Sequence, residues 1–106
     1  MKSRARRPVF FLPGVRIRID GHWEWPDGTT GIIRPFPGAI RELCAEPPNS
    51  DADYIAAGLV RKVKARRGHM YCQWVQFDVP TDDGSGDGPY AAGEVDSDCL
   101  TAIADR

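Results

Sequence analysis

The chain has 106 residues, 42% of them hydrophobic and 27% charged, with 14 Lys plus Arg against 15 Asp plus Glu. That is enough for one compact domain with a real core and too little for two. The composition excludes a disordered or collagen-like chain, and no apolar run approaches the roughly 18 residues of a membrane-crossing helix.

The near-neutral total conceals two opposed halves: residues 1–68 carry a net +6 and residues 69–106 a net −7. The chain opens on MKSRARR, whose Lys2, Arg4, Arg6 and Arg7 make residues 1–8 a flexible basic arm. Only Val9, Phe10, Phe11 and Leu12 follow before Pro13 and Gly14, too short an apolar run for a secretory leader. Residues 9–104 are expected to form a single domain. Cysteines at 44, 72 and 99 are odd in number and include no CxxC pair, which argues against a disulfide framework or zinc ribbon and for a reducing cytoplasm.

In GVRIRI (14–19), Val15, Ile17 and Ile19 alternate with Arg16 and Arg18, the period of a strand with one buried face. HWEWP follows, then a Pro26-Asp27-Gly28 turn and a second strand over Thr29 to Arg34, stopped by Pro35 and Pro37. Ile40, Leu43 and Cys44 have helical spacing, but Pro47 and Pro48 limit that segment to a short helix or irregular loop. Ser50 or Asp51 is placed to cap a brief helical turn through Tyr54, Ile55 and Ala56, after which Gly58 returns the chain to extended form. Leu59 to Arg66 and Met70 to Asp78 read as a hairpin with Gly68 at its left-handed position. PTDDGSGDGP (80–89) is an exposed loop, Tyr90 to Val95 a further strand, and Asp98 to Thr101 a final turn or short strand. The expected core is Val15, Ile17, Ile32, Val63, Trp74, Val75, Phe77 and Leu100, although Trp74 and Val75 cannot share one sheet face. The fold class is therefore mainly β, a small antiparallel barrel of about five strands with one helical turn in its long connection.

Gly14, Val15, Ile17 and Ile19, followed by Gly28, Thr29, Thr30, Gly31, Ile32 and Ile33, resemble the opening of SH3-like small barrels, notably those with a KOW motif, where a strand leads through a turn to G-x-x-G and a second strand. WVQFD (74–78), followed by an acidic loop and a short closing strand, is similar to the end of such barrels, including the ferredoxin-thioredoxin reductase variable chain and the small ferredoxin-docking subunit of photosynthetic NDH complexes. The resemblance implies an SH3-like barrel with a docking role.

Three constellations could carry function. Arg61, Lys62, Lys64, Arg66 and Arg67 form a basic cluster that fits either a solvated strand face or a surface for phosphates or an acidic protein. Trp23 and Trp25, two apart and read as facing the same way, make with His22, Tyr71, Trp74 and Tyr90 an aromatic rim suited to a peptide, a base or a cation, or else hydrophobic cover. Asp83, Ser85, Asp87, Gly88 and Glu94 match the spacing of an EF-hand calcium loop, but strands rather than helices flank them, so a solvated hairpin loop is the preferred reading. Neither His22 nor His69 lies in a nucleophile motif, the cysteines read as small buried hydrophobes, and no phosphate-cradling loop is present. The expected function is a non-catalytic adaptor, without cofactor or membrane, that docks on a protein partner through charge and the aromatic rim. The rival expectation is nucleic-acid binding by the basic strand and arm.

Overall fold

The computed structural model describes residues 9–38 and 50–104. The basic arm and the helical spacing at Ile40, Leu43 and Cys44 lie outside the described residues. Among the described residues six strands form one antiparallel sheet: β1 (Arg16–Ile19), β2 (Thr29–Arg34), β3 (Arg61–Lys64), β4 (His69–Thr81), β5 (Tyr90–Asp96) and β6 (Leu100–Ala102). A short helix, α1 (Asp51–Ala56), precedes β3, with the Ser50 hydroxyl accepting from the Asp53 N–H as its cap. A 3-10 turn (Ser97–Cys99) separates β5 from β6 and accounts for the strand beyond the five expected.

β4 organises the sheet because it pairs on both sides. Cys72 stands opposite Arg61 of β3 and Asp96 of β5, and Trp74 opposite Arg34 of β2 and Glu94 of β5. Strands β3 and β2 therefore lie end to end along one edge of β4, with β5 along the other. β1 bridges β2 to β6, whose Leu100 stands opposite Ile19. The mainly β architecture expected is present, and its strands form this open sheet, which is not closed into a barrel. The two edges that flank β4 are blunted chemically instead. The RKVK sequence of β3 places charge along its edge, and a Trp25 hydrogen bond caps β5, as described below.

Side-chain parity decides the core. Ile17, Ile19, Ile33, Val75, Phe77, Val95 and Leu100 share one face and are buried under Trp25, with Val15 packed at the margin. Of the expected core, Ile32, Val63 and Trp74 are corrected to half-buried positions on the opposite face. In β2 the reason is Gly31, which occupies the core side where β4 approaches and so puts Ile33, not Ile32, inside. A smaller cluster joins Ala57, Leu59 and Val60 to Phe10, Tyr54 and Tyr71. The two clusters meet at Gln73, fully buried, whose amide accepts from the Phe11 N–H (2.8 Å) and donates to the Phe11 carbonyl (2.8 Å). That side chain thus substitutes for a strand partner and fixes the N-terminal segment, leaving no polar atom of the amide to be desolvated unpaired. On the other face Arg16 forks onto Asp78 (3.2 and 2.7 Å) while Thr30 Oγ1 donates to the same carboxylate (2.6 Å), tying β1, β2 and β4 together. These donors hold the Asp78 carboxyl below the usual carboxylate range.

Candidate binding groove

The loop between β1 and β2 is shaped by its own polar side chains. Asp20 Oδ1 accepts from the Gly28 N–H (3.2 Å) and Asp27 Oδ1 from that of Gly21 (2.8 Å). Inside this clasp His22 Nδ1 accepts from the N–H groups of Glu24 (3.0 Å) and Trp25 (3.3 Å), a turn in which a histidine plays the part usually given to Asp or Asn. The chain therefore bends where the sequence reads as extended, and Trp23 and Trp25 do not face the same way. Trp25 is 5% exposed and Trp23 is 79% exposed. Trp25 is thus corrected from rim to core: it packs on Phe77 (4.8 Å between centroids) and edge-on against Tyr90 (5.9 Å). Its indole N–H donates to the Glu94 carbonyl (3.1 Å), folding the loop over the outer edge of β5. Trp23 lies outside, stacked on His22 at 5.6 Å.

The loop after β4 forms the facing wall. Asp82 and Asp83 accept from the N–H groups of Gly84 (3.0 Å) and Ser85 (2.9 Å), and Ser85 Oγ accepts from that of Asp87 (3.2 Å). The calcium-loop spacing is not realised. Asp83 and Ser85 are engaged in consecutive tight turns, while Glu94 lies on β5 opposite Trp74 with its carboxylate 3.5 Å from Arg61. Among the described residues no three His, Cys, Asp or Glu side chains converge as a metal site.

Between the two loops and the outer face of the sheet runs a groove of about 390 Å³. Val63, Met70, Cys72, Trp74 and Ala92 line its floor; Glu24, Asp83 and Glu94 supply its charge, and Tyr90 contributes an aromatic wall. Through His22, Glu24, Trp25 and Asp83 it continues into an outer recess of about 510 Å³ flanked by Trp23, Pro26, Asp27 and Asp82. The volumes are those of ligand-sized clefts. Burial, the hydrogen-bonded Asp83 carboxylate and nearby Glu94 together push the Glu24 carboxyl up. Asp83 is held down, chiefly by its hydrogen bonds with Ser85. Burial, with Glu94 and Asp96 beside it, pushes the Cys72 thiol up to about 12, so the sulfur on the groove floor is an uncharged, unreactive surface at neutral pH.

The basic cluster does not act as one face. Strand alternation places Arg61 and Val63 beside Cys72 and Met70 on the groove side, and Lys62 and Lys64 beside Tyr71 and His69 on the other. Arg61 is engaged with Glu94 and lies 5.7 Å over the Phe36 ring, whereas Arg66 and Arg67 occupy the exposed turn of the hairpin. Tyr90, expected at the rim, is half-buried between Trp25 and the Ser85 hydroxyl (3.5 Å). Sequence reading omitted Glu24 and Met70 from the site, although Glu24 lies between the two tryptophans it did choose. Comparison with protein-family models, curated proteins and solved structures finds no match to this chain. Among the described residues no helix is long and apolar enough to cross a membrane.

The His22 turn gives a testable pH dependence. Burial holds the His22 pKa below the usual ~6.5 against the pull of Asp96, and protonating Nδ1 would in addition cost the acceptor of two backbone bonds. The unfolded chain binds that proton more readily, so the contribution is complete above pH ~6.5 and is lost as pH falls below it. His22→Asn, whose amide oxygen also accepts, should keep the loop and remove this part of the slope. His22→Ala should cost about 1 kcal/mol at pH 8. Melting temperatures from pH 5 to 8 decide it; an unchanged slope in His22→Asn would assign the titration to another group.

Proposed function

We propose that the chain is a non-catalytic binding module that docks on a protein partner, with the groove receiving an extended segment whose Lys or Arg side chain enters among Glu24, Asp83 and Glu94. The observation that carries this reading is the exposed Trp23 ring flanking a groove in which aromatic walls and carboxylates converge. A cation held against an aromatic face is stabilised by about 0.5–2 kcal/mol, more where water is excluded, and the carboxylates add charge complementarity. The Trp23 and Pro26 recess supplies apolar contact for the rest of the segment. The carboxylates of the groove favour a basic partner over the acidic surface that the arginine and lysine counts first suggest. As a fold, we read the open sheet as a half-closed relative of SH3-like small barrels. Support for this comes from the last strand returning to pair with the first, the step that brings the ends of a barrel together.

The rival, nucleic-acid binding, has support of its own in Lys62, Lys64, Arg66 and Arg67, all exposed and without a carboxylate ion pair among the described residues. Titration with an arginine-containing, proline-spaced peptide, followed by tryptophan fluorescence, separates the two. Binding should be at least about tenfold weaker for Glu24→Lys and absent for the peptide with Glu in place of Arg. Equal binding of both peptides, or retention on nucleic acid with a steep salt dependence, would overturn the protein-docking reading.

A further inference from the structure

At the outer edge of β3, open backbone groups and unpaired positive charge coincide. Ile33 gives its N–H to the Val15 carbonyl and takes the Gly14 N–H on its own carbonyl, so its polar backbone groups face the β1 side. Ladder bonds alternate along a strand, and Ile32 and Arg34 therefore face β4, opposite Gln76 and Trp74. Further back along β4, Cys72 and Met70 face the same way, toward their partners Arg61 and Val63. The N–H and carbonyl groups of Lys62 and Lys64 then point away from β4. β3 stands at the end of the strand order, and among the described residues nothing bonds to these groups. The outer edge of β5, by contrast, is crossed by the Trp25 indole at the Glu94 carbonyl.

Positive side chains surround the open groups of β3. Lys62, Lys64, Arg66 and Arg67 are exposed and have no carboxylate ion pair among the described residues, while Arg61 is engaged by Glu94. A second copy would bring the same charges to the same edge, so β3 repels its own kind. Phosphates would suit the lysines but not the edge, whose outward carbonyls turn negative dipole toward them. An extended acidic peptide answers both, giving N–H to carbonyl and carbonyl to N–H at the spacing of a strand. Its residues opposite Lys62 and Lys64 share a face with those side chains, and the residue between falls on the side of Val63.

We propose that β3 is a second docking edge, separate from the groove, which takes an extended acidic segment of a partner protein as an added strand, with acidic side chains opposite Lys62 and Lys64 and an apolar one beside Val63. This edge does not depend on the groove reading, since it uses different residues and the opposite charge.

Titration of the full chain with a short labelled peptide of alternating Glu and Val, read by fluorescence anisotropy, tests it. The peptide should bind and slow amide exchange at Lys62 and Lys64 at least about tenfold. Lys62→Glu/Lys64→Glu should weaken binding at least about tenfold. Lys64→Pro removes an outward N–H and no ladder bond, so it should melt near the parent and lose the peptide. Trp23→Ala should bind the acidic peptide as the parent does, which separates this edge from the groove. Peptide binding kept by Lys64→Pro, or lost in Trp23→Ala, overturns the inference. Should Lys64→Pro fail to fold, exchange in the parent decides: binding without protection at Lys62 and Lys64 assigns the contact to side chains and removes the added strand. No binding of the acidic peptide, with a single-stranded oligonucleotide bound in its place, makes the lysines a phosphate surface and overturns the inference as well.

Discussion

Gly31→Ala is expected to cost about 3 kcal/mol or more, and Gly31→Val to leave the chain unfolded at room temperature. A Cβ at this position would press on the Gln76 carbonyl oxygen and stand 2.7 Å from Val75 Cγ1. Both obstacles belong to β4, and Gln76 is paired with Ile32 in the β2–β4 ladder, so the backbone cannot retreat without breaking that pairing. Gly93 is a milder case. Its Cβ would meet the Trp25 ring, with Cε2 at 3.0 Å, and a side chain can tilt even while its N–H is held by Glu94. Gly28 needs only its positive φ of 86° and has open space around it, so alanine there should cost about 1 kcal/mol. Urea denaturation should thus rank the losses Gly31, then Gly93, then Gly28. A Gly31→Ala protein more stable than Gly28→Ala would mean that β2 and β4 do not approach as described. The two glycines of the G-x-x-G stretch are in this account required for separate reasons, a turn and a close strand approach.

The two neighbouring tryptophans should respond in opposite ways. Trp25→Ala removes a ring that covers Gly93, packs on Phe77 and Tyr90, and clasps the edge of β5, and should cost about 3–5 kcal/mol. That is much of the stability of a domain of this size. Trp23→Ala, at a side chain 79% exposed, should change the melting temperature little and weaken peptide binding at least about tenfold. Paired melting and titration of the two variants check this. A large stability loss at Trp23 would make it part of the fold and remove it from the binding surface.

These residues also show how far the sequence could be read. Alternation located β1 and β2, Pro26-Asp27-Gly28 and Gly68 located the turns at positive-φ glycines, and Ser50 or Asp51 marked the start of α1, where Ser50 is the cap. Alternation could not choose between Ile32 and Ile33, since both are apolar. The parity of Gly31 decides, and it becomes legible only once a strand is known to approach there. The same ambiguity at Trp74 and Val75 is resolved by Val75 facing the core. The bend at Trp23 and Trp25 was hidden because a histidine rather than an aspartate or asparagine makes the turn. Glu24 and Asp83, some sixty positions apart, carry no spacing signal; only the folding of one loop over β5 and the return of the other after β4 brings them together.

On the proposed reading a basic segment lies in the groove on the Cys72 and Trp74 face of the sheet. Amide and indole chemical-shift mapping of the full chain, titrated with the arginine peptide, tests it most directly. The largest changes are expected at the Trp23 indole and at Glu24, Met70, Asp83 and Tyr90, with saturation at one peptide per chain. Changes concentrated at Lys62, Lys64 and His69, on the opposite side of the β3–β4 hairpin, would contradict it.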